Sequence, residues 1–98
     1  MAGIEKAMNI GPICSAELSS IGIDTVEKLQ DLGWEEVFLR WVDAFPGRIN
    51  LNAATGLIGA EEEIDWRSVT PLKKAKARAL VERLRKLQGS SPTRRSRR

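Results

Sequence analysis

A chain of 98 residues, 42% hydrophobic and 30% charged, has room for one core and too much apolar content to be disordered throughout. It holds no His, no Tyr and a single Cys, which excludes histidine-based catalysis, an internal disulfide and a four-ligand zinc site. The net charge of +3 hides a division: residues 1–66 carry four basic and twelve acidic side chains, and residues 67–98 carry twelve basic ones and one acid, Glu82.

The segment Ala2 to Ala7 is too short to assign alone, although Ile4 and Met8 fit one apolar side of a helical turn. A turn is expected at Ile10-Gly11-Pro12. Gly11 is free to take positive φ, Asn9 tolerates the left-handed region, and Pro12 suits a first helical position. From Pro12 the apolar residues Ile13, Cys14, Leu18 and Ile21 predict a short helix that stops at Gly22. Asp24 is the expected cap of a second helix, with Glu27 as its capping-box partner and Val26, Leu29 and Leu32 as the buried side. Together these form a helix-hairpin-helix type of unit. Cys14 lies in this apolar setting and reads as a packing residue.

Gly33 reads as a stop. Trp34 to Phe45 then carries apolar residues at 34, 37, 38, 41, 42 and 45, a helical stripe with Glu35 and Glu36 in the first turn and Pro46-Gly47 at its end. Asn50 is placed to cap a helix from Leu51 to Ala60 whose apolar side is Leu51, Ala54, Leu57 and Ile58. Gly56 and Gly59 weaken that helix by about 1 kcal/mol each, so Gly56 is expected to face a neighbouring helix closely. Glu61, Glu62 and Glu63 read as a solvated acidic connector in preference to a cation site, since adjacent carboxylates diverge along a regular backbone.

Thr70-Pro71 opens a last helix, expected to run to Gln88 with Gly89 just past its end. Leu72, Ala75, Ala79, Leu80, Leu84 and Leu87 are its expected apolar face. Lys73, Lys74, Arg78, Arg85 and Lys86 fall off that face, with Lys76 and Arg83 at its borders. Residues 89–98 hold no large apolar side chain and read as a disordered basic tail. Its Arg94, Arg95, Arg97 and Arg98 alone turn a chain of −1 into one of +3. With no period-two segment, the pattern predicts an all-α bundle of five or six short helices over residues 1–88, with Phe38, Trp41, Phe45 and Trp66 as the largest core or near-core contributors.

The ordered series Asn9-Ile10-Gly11-Pro12, Leu18, Ile21-Gly22-Ile23, Thr25, Leu29, Leu51-Asn52, Gly56 and Asp65-Trp66, followed by a closing helix, resembles the C-terminal domain of the bacterial TfoX/Sxy family. The likeness spans roughly residues 4 to 88. It implies a regulatory role in competence, the uptake of DNA in natural transformation, exerted through contacts with another protein. Members of the usual kind carry a further domain ahead of this one, whereas this sequence begins at Met1.

No phosphate-binding loop, dinucleotide glycine pattern or spaced carboxylate pair is present, so a non-enzymatic protein without metal or other cofactor is expected. The absence of an apolar run of membrane length and of a signal peptide gives a cytoplasmic expectation. An adaptor contacting a regulatory protein is the first reading. The alternative is direct, largely nonspecific nucleic-acid binding at low salt. It would use the hairpin Asn9, Ile10, Gly11 and Pro12, the basic surface Lys73, Lys74, Arg78 and Arg85, and the tail arginines Arg94, Arg95, Arg97 and Arg98. Against that alternative stand Asn9 in the place of a first glycine, Ile13 in that of a lysine, and the acidic body. Dimerisation is neither supported nor excluded.

Overall fold

The computed structural model describes residues 3–7 and 9–89, and its architecture is all-α, as the pattern predicts. Helix α1 (Pro12–Ser20) starts on Pro12 and ends with Gly22 at φ 91°, a left-handed exit that glycine takes without strain. Helix α2 (Val26–Leu32) is followed at Gly33, φ 87°, by α3 (Trp34–Ala44). Helix α4 (Leu51–Glu62) begins at Asn50, whose side chain accepts from the Ala53 N–H at 2.7 Å. Helix α5 (Pro71–Gly89) begins at Thr70, whose hydroxyl accepts from the Lys73 N–H at 3.3 Å. Single 3-10 turns occupy Ile4–Lys6, Pro46–Arg48 and Trp66–Ser68. The expectations for Met8 and for the tail, Arg94, Arg95, Arg97 and Arg98 included, lie outside the described residues.

Helix α4 is the centre of the molecule. Residues 54–60 are buried on every side, which their sequence Ala-Thr-Gly-Leu-Ile-Gly-Ala permits because four of the seven are Ala or Gly. Its one buried hydroxyl, on Thr55, bonds back to the Leu51 carbonyl at 2.9 Å. Helices α2, α3 and α5 all pack on α4. Val37, Phe38 and Trp41 of α3 meet Leu57 and Ile58 in one core that also takes in Ile4, Leu18, Ile23 and Leu29. Among the described residues no helix is long and apolar enough to cross a membrane.

Several local expectations are corrected. The left-handed residue of the opening turn is Asn9, at φ 70°, whereas Gly11 is extended at φ −84°, ψ 176°. Thr25, not Asp24, caps α2: its hydroxyl accepts from the Lys28 N–H at 3.1 Å. The Asp24 carbonyl is tied to the Ile4 N–H at 2.9 Å, so the chain stays extended for one residue more. The Asp24 carboxylate meets Lys28 Nζ instead, at 2.8 Å. The shift moves Glu27 out of the capping-box register and into the first turn. Leu32, at the far end of α2, is 38% exposed.

Helix α5 settles on a different face from the one expected. Ala77, Leu80 and Val81 are buried and Leu84 packs against the core, while Leu72, Ala75, Ala79 and Leu87 look outward. Two stripes compete on this helix, and the one that packs continues from Val69, which is itself 3% exposed. It also turns Lys73 inward onto the Glu62 carboxylate of α4. Trp66 is 44% exposed and not a core residue, whereas Phe45 is half-buried against the core as expected and Trp34, on the α3 stripe, is buried.

Candidate functional site

The opening turn is joined to the connector between α4 and α5 by one side chain. With its backbone in the left-handed region, Asn9 aims its carboxamide at the connector between α4 and α5. Nδ2 donates to the Ile64 carbonyl at 3.0 Å, and Oδ1 accepts from the Trp66 N–H at 3.1 Å. Both bonds cross over Gly59, where there is no space for a side chain. A Cβ there would collide with Asn9 Nδ2 and lie 2.7 Å from the Ile64 carbonyl oxygen. Gly56, one turn earlier, also faces Asn9 and not a neighbouring helix, at an ordinary 3.8 Å. The close approach expected at Gly56 is therefore found at Gly59.

Asn9, Asn52 and Gly56 form the shared wall of two adjoining hollows. One, of about 380 Å³, reaches back to Cys14, Trp41 and Arg48; the other, of about 250 Å³, runs out to Trp66. Within the hairpin, Ile10 is buried, while Gly11 and Pro12 are exposed beside the groove's inner end. At its outer end, the 3-10 turn carrying Trp66 is fixed by Asp65, which accepts from the Arg67 N–H at 2.9 Å and from its guanidinium at 3.0 Å. That guanidinium holds the Asp65 carboxyl down to a pKa of about 2.

A half-buried cluster that sequence reading missed closes the inner end. Glu17 Oε1 accepts from Trp41 Nε1 at 2.9 Å and from Arg48 Nε at 2.8 Å, while Oε2 accepts from the second Arg48 nitrogen at 2.8 Å. The Arg48 guanidinium also lies 5.8 Å from the centre of the Trp41 ring. Its hydrogen bonds hold the Glu17 carboxyl below the usual carboxylate range, against the opposing effect of burial and with help from Trp41. The available signal was composition: Arg48 is the one cation between Arg40 and Arg67. Cys14 is half-buried beside this cluster.

The expected acidic connector is divided among three tasks. Glu61 and Glu62 extend α4 by two residues, and Glu63 is its left-handed end at φ 59°. Glu61 Oε1 accepts from the Trp34 N–H at 2.6 Å, so a side chain from α4 caps α3, whose own N-cap residue is Gly33. Glu62 pairs with Lys73. Among the described residues no group of three His, Cys, Asp or Glu side chains is placed to hold a metal ion.

The basic positions of α5 are not brought to one patch. Lys73 is taken up by Glu62, and Arg85 donates to the Ile49 carbonyl at 3.5 Å. Lys74 and Arg78 lie on one flank of the solvent face and Lys76 and Arg83 on the other. None of these four is ion-paired to an acid among the described residues.

Residues 1–88 match the family model described as the TfoX C-terminal domain. No curated protein matches the chain. Among solved structures, an uncharacterized protein from Listeria monocytogenes, crystallised in a triclinic form, is similar with a TM-score of 0.81 and 27% sequence identity, over 86% of this chain and 94% of that one.

Proposed function

Because the chain belongs to the TfoX C-terminal domain family, we propose that it is a non-catalytic regulatory or adaptor module. In this reading it acts in competence or transcription regulation through protein–protein contacts. The observation that carries the reading is Trp66. An indole 44% exposed stands at the mouth of the groove, its backbone bonded to Asn9 and its turn capped by Asp65. Exposed tryptophans carried on a fixed backbone need less ordering on binding than ones on a loose segment, and tryptophan recurs among the residues on which protein interfaces depend. Asn52, exposed on the same wall, is suited to bond the main chain of a bound segment. The test is a chromosomal Trp66→Ala exchange in the source cell. Transformation frequency is expected to fall at least tenfold with the cellular level of the protein unchanged. An unaltered frequency at normal protein level refutes the reading.

A further inference from the structure

We propose that the solvent face of α5 is a duplex-DNA contact surface, with the helix lying in the major groove and one cationic row toward each phosphate backbone. The argument begins with the register that packing imposes. Once Ala77, Leu80 and Val81 are turned inward, the outward centre of the helix is Ala75, Ala79, Glu82 and Lys86. Lys74 and Arg78 then stand on one side of this ridge, and Lys76 and Arg83 on the other. A helix is about 10–12 Å across with its side chains, and the major groove of B-DNA is about 12 Å wide. Two cationic rows on opposite flanks of an exposed helix therefore fall where the two backbones run. The small side chains of Ala75 and Ala79 let the ridge approach the bases, where the Glu82 carboxylate is able to accept from a cytosine amino group.

Charge decides between this occupant and the others. Leu72 and Leu87 are 69% and 65% exposed, and on their own would suit an apolar partner. A second copy of the same face would set these cationic rows against each other, which disfavours self-association. Of the thirteen acids in the chain, residues 67–89 hold one, so most of the negative charge belongs to other elements. Glu35 of α3 shares a hollow with Lys76 and Arg83; repulsion from charge farther off is screened beyond about 8 Å at physiological salt. The proposal does not rest on Trp66, and its readout, binding of DNA by the purified protein, leaves the adaptor reading standing whichever way it falls.

The test is anisotropy of a labelled mixed-sequence duplex of about 20 base pairs, titrated with the full chain between about 50 and 200 mM salt. Each engaged phosphate contributes about 0.9 to the slope of log K against log salt, so Lys74→Gln with Arg78→Gln lowers the slope by about 2, and so does Lys76→Gln with Arg83→Gln. Each pair of changes is expected to weaken binding roughly tenfold at 100 mM salt, with an unchanged melting temperature for the exposed Lys76 and Arg83 and at most a small shift for the other pair, where Arg78 is exposed and Lys74 is half-buried. A full-chain variant with Arg94, Arg95, Arg97 and Arg98 changed to Gln supplies the comparison. If that variant abolishes binding while both α5 variants keep the parent slope, the tail is the binder and the proposal is overturned. Loss on one flank only, or equal affinity for a single strand of the same length, overturns the groove geometry.

Discussion

Asn9 and Gly59 occupy one another's space: the carboxamide that ties the first turn to Ile64 and Trp66 lies where a side chain on Gly59 would begin. The opening turn and the α4–α5 connector are joined across a position in the last turns of α4 that has to stay bare. An alanine in a helix interior ordinarily improves on glycine by about 1 kcal/mol. Gly59→Ala is expected to do the opposite, destabilising by about 2 kcal/mol or more through overlap with Asn9 and the Ile64 carbonyl. Gly56→Ala, whose Cβ meets Asn9 at 3.8 Å, is expected to be neutral or to stabilise by up to about 1 kcal/mol. Urea unfolding of the two variants measures both signs, and equal effects would refute the assignment of the tight contact.

At Asn9 itself two contributions separate. Alanine loses both carboxamide bonds and must still hold φ near 70°, which glycine does without strain. Asn9→Ala is expected to cost about 2–3 kcal/mol and Asn9→Gly about 1–2 kcal/mol. If glycine proves the worse of the two, the backbone conformation at this position is not left-handed in solution.

These residues also show how far the sequence was legible. Periodicity located the five α-helices among the described residues because a stripe at 34, 37, 38, 41 and 42 has one way to be buried, and Thr70-Pro71 and Asn50 mark helix starts by local chemistry alone. The choice between two apolar stripes on α5 was not legible, since only the shape of α4 and the place of Val69 decide it. Nor was the groove. Asn9 looked like a turn residue and Glu61 like a solvated acid, yet each does its work on a partner more than twenty-five residues away.

Glu61 gives the third prediction. Its carboxylate takes the place of a cap that Gly33 has no side chain to provide, and its negative charge sits at the positive end of α3. Glu61→Ala is expected to cost about 1 kcal/mol, while Glu61→Gln, which keeps an acceptor, costs a few tenths. Hydrogen exchange at the Trp34 amide distinguishes a lost cap from a general loss of stability. Faster exchange throughout the chain, with no excess at Trp34, would count against the cap.

The Glu17–Arg48 pair sets a pH dependence whose sign follows from the direction of the shift. The Glu17 carboxyl titrates lower in the folded chain than its ordinary 4.5, so its contribution is complete above that value and is lost as pH falls through the lowered folded one. Arg48 stays charged throughout, so protonating Glu17 leaves a half-buried guanidinium without its carboxylate. Glu17→Gln is expected to be less stable than the parent by about 1–2 kcal/mol near neutral pH. The deficit should shrink as pH falls through the lowered folded value, because the parent loses there what the variant never had. Asp24 and Asp65 are also held low, by Lys28 and by Arg67, but both pairs are local and exposed and are untouched by the exchange. Thermal midpoints of parent and variant across the acid range measure the difference directly. A gap that stays constant down to the acid limit would mean that Glu17 holds Trp41 and Arg48 by shape and hydrogen bonding, with its charge contributing nothing.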